Sequence, residues 1–199
     1  MDKLALTDDE AAALALRAGG AWAAPLPTIN NADRAQVAAA VLRGRRSLVV
    51  RDLATPAGDP TGAAADVLKR LGAGPRAGFM LRTADGTWFH RGLTVYLYGP
   101  SVTDVELSHL VAPAGVHHFT ASPPPGQWQA LTTVAEAIYA DGFTVDEPGV
   151  PPPAAALLTV ARPDGTRSIR VAQATATTGR GPVPARFPSV AEAVTWLLA

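Results

Sequence analysis

The sequence predicts an α+β fold: an antiparallel sheet built from hairpins, with helices packed on it, arranged as two halves of similar build. Two hairpin signals and the helices around them carry this reading. Asp85-Gly86 separates the apolar run Phe79 to Arg82 from Trp88-Phe89-His90 and the strand pattern Leu93 to Tyr98. Pro163-Asp164-Gly165 separates Leu157 to Ala161 from Ser168 to Val171. Asp-Gly adopts positive φ easily, as tight hairpins require if the turn is to match the twist of its strands.

The elements follow in order. Thr7-Asp8-Asp9-Glu10 reads as a capping box, in which the Thr7 hydroxyl and the Glu10 carboxylate each satisfy an otherwise orphaned amide. It opens a helix that runs to about Ala18, with Leu6, Ala13, Leu14 and Arg17 near one stripe, and Gly19-Gly20 ends it. Asn30 or Asn31 caps a second helix reaching about Arg43, with Val37, Val41 and Leu42 as its buried stripe. Ser47 to Leu53 suits a strand or a turn of helix. A third helix spans about Ala63 to Leu71. After the first hairpin, Ser101 to about Val111 reads as a helix capped by Ser101 or Thr103, then Val116 to Thr120 as a strand, then Trp128 to Ala140 as a helix. The proline-rich segment Asp146 to Pro153 is a linker, which divides the chain into units 1–145 and 154–199 packed as one domain. The second hairpin covers Leu157 to about Ala174, Thr175 to Pro184 is a loop, and Ser189 to Glu192 is a second capping box opening the last helix.

Composition narrows the function. The 199 residues carry 17 basic and 17 acidic side chains, so there is no surplus of positive charge for general nucleic-acid binding. Cysteine is absent, which excludes disulfides, thiol catalysis and cysteine metal sites and fits a reducing cytoplasm. No apolar run approaches the roughly 20 residues of a membrane span, and the first residues do not read as a secretory signal. Fifteen arginines against two lysines are the mark of a GC-rich genome.

Catalytic signals are weak. His117-His118 is the most tempting pair, but adjacent strand residues face opposite ways, so the two cannot readily share a metal; one is expected under a helix and the other toward solvent. His90 or His109 joins either only through the fold. There is no Gly-x-Ser-x-Gly elbow, and Gly179-Arg180-Gly181 lacks the lysine of a phosphate loop. The carboxylates Asp8 to Glu10 complement a helix dipole, which accounts for them without acid–base chemistry. Arg43-Gly44-Arg45-Arg46 reads either as a site for an anion or acidic partner or as cations at a helix C-terminus. The expectation is therefore a non-enzymatic protein with no metal and no cofactor, docking a partner through Tyr96 and Tyr98 on one strand face and through Gly179 and Arg180 in a flexible loop. The alternatives are a small enzyme or ligand-binding domain using His117 and His118, or a homodimeric structural module.

The order of these elements resembles a known family. Leu6-Thr7-Asp8-Asp9-Glu10 opens the first helix, Leu42-Arg43-Gly44-Arg45-Arg46-Ser47-Leu48 closes the second, and Leu71-Gly72-Ala73-Gly74-Pro75 precedes a strand beginning near Arg76. The Trp88-Phe89-His90 strand and a C-terminal hairpin with Thr178-Gly179-Arg180 follow. This arrangement resembles the EspG family, cytosolic chaperones of type VII secretion systems in actinobacteria. The resemblance implies an α/β fold with two pseudo-symmetric halves. It also implies a cytoplasmic, non-enzymatic role: holding the apolar helical tip of a secreted PE/PPE-like pair soluble before export. The chain is shorter than typical members, and Gly181-Pro182 stands where the family tends to have an apolar strand.

Overall fold

The computed structural model describes residues 3–19, 22, 24–72, 74–83, 94–140, 153–179 and 184–199. Among them are nine strands: β1 (Lys3–Thr7), β2 (Ala77–Thr83), β3 (Thr94–Tyr98), β4 (Leu107–Ala112), β5 (Val116–Ala121), β6 (Pro153–Arg162), β7 (Gly165–Ala172), β8 (Thr175–Thr178) and β9 (Arg186–Phe187). They form one antiparallel sheet in the order β1-β5-β4-β3-β2-β6-β7-β8-β9. Five helices accompany it: α1 (Asp8–Arg17), α2 (Arg34–Val50), α3 (Gly62–Leu71), α4 (Gln127–Ala140) and α5 (Val190–Leu198). The α+β class expected from the sequence is the class observed.

Side-chain alternation along β3 divides the molecule into two cores. Val95 and Leu97 point to one face, where they join Phe79, Leu158, Ile169 and Val171 beneath Trp128, Ala135 and Ile138 of α4 and Val190, Ala193 and Leu197 of α5. Tyr96 and Tyr98 point to the opposite face. There they meet Leu4, Leu6, Leu107 and Phe119 beneath Leu14 of α1, Leu48 of α2 and Ala64 and Val67 of α3. Helices therefore cover opposite faces at opposite ends of the sheet. The two ends are joined through β2 and β6, with Phe79 facing Leu158 in register.

Several sequence expectations are corrected. Ser101 to Val111 is not a helix. Ser101 does cap, its hydroxyl accepting from the amides of Thr103 and Asp104, but the cap closes only a turn. The chain then enters β4, paired with β3 on one side and β5 on the other. Leu107, His109 and Val111 alternate inward as a strand requires. Thr175 to Thr178 is strand β8, not loop. The second helix is capped by Asp33, which accepts from the amides of Ala35 and Gln36, in place of Asn30 or Asn31. It passes through Gly44 to Val50, so Ser47 to Leu53 begins as helix. Leu6, placed on the stripe of the first helix by its spacing, belongs instead to β1, which pairs with β5. Ser189 accepts from the Glu192 amide at 3.2 Å, giving α5 one half of the expected capping box.

Gly44 explains how α2 lies on α1. A Cβ at this position would sit 1.9 Å from the Asp9 carbonyl oxygen, so the two helices cross at a distance only glycine permits. Ala40, Gly44 and Leu48 are the buried residues of α2. The helix turns Ala40, Gly44 and Leu48 inward, packs Val37, Val41 and Val49 half-buried against the cores, and leaves Leu42 and Val50 exposed, which shapes the surface described next.

The hairpin residues 84–93, including Asp85-Gly86 and Trp88-Phe89-His90, and most of the linker lie outside the described residues.

Candidate functional site

Three consecutive acids open α1, and each reaches a distant partner. Glu10 completes the capping box: its carboxylate accepts from the Thr7 amide at 2.9 Å while its own amide donates to the Thr7 hydroxyl at 3.3 Å. The same carboxylate, fully buried, accepts from Ser47 Oγ at 2.6 Å and from Arg51 Nη1 at 2.7 and 2.8 Å. Asp9 takes a two-point contact from Arg43, at 2.6 and 2.9 Å. Helix-dipole complementarity holds for these acids, but it was only part of their role.

Asp8 begins a buried chain. Its Oδ2 accepts from the amide and hydroxyl of Thr28, both at 2.6 Å, and its Oδ1 lies 2.8 Å from His117 Nε2. His117 Nδ1 lies 2.9 Å from His109 Nε2. Asp8, His117 and His109 are 2%, 0% and 1% exposed. Burial by itself pushes the Asp8 carboxyl up, but the hydrogen bonds from His117 and Thr28 outweigh it and hold the group below its ordinary value. Desolvation first, and the proximity of His117 second, push His109 down to about 2. An ionised Asp8 takes the His117 Nε2 proton as donor. One proton is shared between His117 Nδ1 and His109 Nε2, and the outer ring nitrogen of His109 is Nδ1. That nitrogen is buried and has no hydrogen-bond partner among the described residues. Rings close the cluster: His109 stacks on Phe119 with centroids 4.2 Å apart, and Trp22 stands edge-on to both histidines. Gly115 admits the carboxylate, since a Cβ there would come within 2.8 Å of Asp8 Oδ2.

This arrangement orders the β1–α1 junction against the sheet. His117 lies under the helices and His118 is exposed, as alternation along β5 requires. A cavity of about 330 Å³ reaches His109, but its other walls are Ala18, Trp22, Ala24, Leu68, Leu71, Gly72, Gly74 and Tyr98, none of them charged. Among the described residues no group of three His, Asp or Glu is placed to hold a metal ion.

The residues expected to dock a partner are placed as follows. Tyr98 is buried in the helix-covered core, and burial together with neighbouring Tyr96 raises its hydroxyl pKa. Tyr96 is half-buried against the same core. Gly179 is exposed, and its amide donates to the Ser168 carbonyl at 2.7 Å. Register runs Tyr96, Gly78, Thr159, Ser168 across four strands, with Gly179 next, so Tyr96 and Gly179 share one row of one sheet face. Strand spacing puts them roughly 19 Å apart. Arg180 lies outside the described residues.

A surface that sequence reasoning missed lies between α1 and α2. A groove of about 710 Å³ has Ala12, Ala15, Ala24, Val37 and Val41 in its lining, with Leu16, Trp22, Leu26 and Leu42 beside them and Asn31 and Arg34 as its polar members. Leu16 is 64% exposed and Leu42 60%. Leu42 was expected in the buried stripe of its helix. It is outside because Ala40, Gly44 and Leu48 occupy the face that meets α1. The signal was present in the Ala/Gly spacing at positions 40 and 44, which marks a close helix contact better than the valines do.

No protein-family model matches the chain, and no curated protein matches it. Among the described residues no helix is long and apolar enough to cross a membrane.

Proposed function

We propose that this chain is a non-enzymatic protein-binding adaptor that holds an apolar helical segment of another protein, in the manner of the cytosolic EspG-like secretion chaperones its sequence resembles. The observation that carries this reading is the α1–α2 groove. Large apolar side chains on two helices stand exposed around a concave apolar floor, while the small residues of α2 form the internal contact. Isolated exposed leucines are ordinary on protein surfaces; leucines converging on a groove of this size mark a place for another molecule. An amphipathic helix laid into such a groove buries its apolar face, which is how a secreted helical hairpin stays soluble before export. The histidine chain supports the same reading from the other side. It lies beneath α1 and Trp22, where it organises structure, with its members at most 2% exposed.

The test is co-expression with a PE/PPE-like helical pair encoded in the same organism. The adaptor reading expects a soluble complex that co-elutes on gel filtration and is lost with Leu42→Asp. Failure of such pairs to become soluble, or a complex indifferent to Leu42→Asp, would defeat it.

A further inference from the structure

The groove does not end at Leu42. A second hollow of about 600 Å³ comes next along α2 and shares Leu42 with the first; its other lining residues are Arg45, Arg46, Val49, Val50 and Pro56. Val50 is 82% exposed, so the apolar character continues to the end of the helix. The two hollows make one strip following α2. Its charge is one-sided. Arg34, Arg45 and Arg46 line it and, among the described residues, no acidic residue does, in a chain whose charges cancel overall.

Two of the neighbouring acids are engaged elsewhere. Asp9 is held by Arg43 and Asp59 by Arg17. Arg45 donates to the carbonyls of Pro56 and Ala57, and neither Arg34 nor Arg46 has an acidic partner among the described residues. A helix C-terminus does not account for the cluster either. α2 continues to Val50, so Arg43 to Arg46 sit inside it, where the dipole gives no particular welcome to cations.

Resting on the adaptor reading, we infer that the strip takes an amphipathic helix with acidic side chains flanking its apolar stripe. The stripe fills the space among Leu16, Leu42 and Val50, and the acids meet Arg34 and Arg46. Such charges at the edge of an apolar contact select the partner and its direction more than they add to affinity. A second copy of this chain is a poor occupant, since it would bring the same arginines and no carboxylate to meet them. An anionic membrane shares the charge requirement. The apolar side chains here surround a concavity, whereas a membrane-surface helix must present a continuous outward apolar face. At 1.5 Å per residue, the span from Arg34 to Val50 is roughly 24 Å, the length of about 16 helical residues.

The probe is a fluorescein-labelled helical peptide of about that length, with leucines at helical spacing and glutamates flanking them, and a control in which lysines replace the glutamates. Anisotropy titration is expected to give about tenfold tighter binding of the glutamate peptide at low salt, with the difference shrinking as salt is added. The preference should reverse in the double variant Arg34→Glu/Arg46→Glu, and Leu42→Asp should abolish binding of both peptides. Equal binding of the two peptides, lost with Leu42→Asp, overturns the acidic partner while leaving the groove reading intact. Absence of binding by either peptide to the folded protein overturns both. Co-sedimentation with anionic vesicles, or a dimer in light scattering that Leu42→Asp dissociates, assigns the strip to a membrane or to a second copy and overturns the inference.

Discussion

His109 makes acid stability a quantitative matter. In the unfolded chain its imidazole takes up a proton near pH 6.5, whereas in the folded chain burial and nearby His117 keep it neutral down to about pH 2. Between those values the unfolded state binds one proton more, so acid favours unfolding. The stabilisation is complete above pH 6.5 and declines as the pH falls. One proton corresponds to about 1.4 kcal/mol per pH unit, so His109 alone removes about 3 kcal/mol between pH 6.5 and about 4.5. That is a large share of the 5–15 kcal/mol or so typical of a folded domain. Asp8 acts in the same direction in a lower window. Its lowered pKa stabilises the fold above the ordinary carboxylate value of 3.8, and that contribution is lost as the pH drops through the folded value. The assay is urea unfolding at half-unit intervals from about pH 7.5 to 4.5, for the native chain and for His109→Gln. Glutamine keeps a hydrogen-bonding amide beside His117 Nδ1 and cannot titrate. The variant should be less stable at pH 7.5, because it gives up the stacking on Phe119. Its curve should then fall less steeply, by about 1.4 kcal/mol per unit. Parallel curves would refute the argument, since they would mean that His109 titrates alike in the folded and unfolded states.

Substitutions elsewhere probe the frame around the groove. Gly44→Ala forces a methyl group into the Asp9 carbonyl, so α1 and α2 must separate, and thermal unfolding should show a loss of about 3 kcal/mol. Arg51→Ala leaves the fully buried Glu10 carboxylate without its cation and should cost about 3 kcal/mol or more in chemical denaturation. Adding Glu10→Gln to that variant should recover part of the loss. Leu42→Asp, in contrast, should change stability by no more than about 0.5 kcal/mol, because the side chain is mostly in solvent already. A large loss there would show that Leu42 belongs to the core and that the groove is not a free surface.

The parts of the fold that were legible are those written in local chemistry. Thr7 and Glu10 are close enough in sequence to declare a helix start, and Pro163-Asp164-Gly165 declares a hairpin turn. Where a local signal was real but brief, it misled. The Ser101 hydroxyl caps a single turn, and pairing with two strands then overrides any helical tendency of the residues that follow. β8 was hidden for the opposite reason. The turn before it places Ala174 at φ +50, a conformation usually announced by glycine or asparagine. The buried chain was beyond any spacing argument, since Asp8 and His117 are 109 positions apart and meet only because β1 pairs with β5. Alternation alone did separate His117 from His118. The groove was missed because Leu42 was expected inward with Val37 and Val41; the two valines are half-buried against the core, but the approach of Asp9 to Gly44 sets a contact face that leaves Leu42 outside.

Hydrogen–deuterium exchange on the chain in complex with a helical secretion substrate examines the adaptor account most directly. Binding should slow exchange in residues 12–16 of α1 and 37–50 of α2, and leave α4 and α5 unchanged. Protection confined to the opposite end of the sheet, with α2 exchanging as in the free protein, would contradict it.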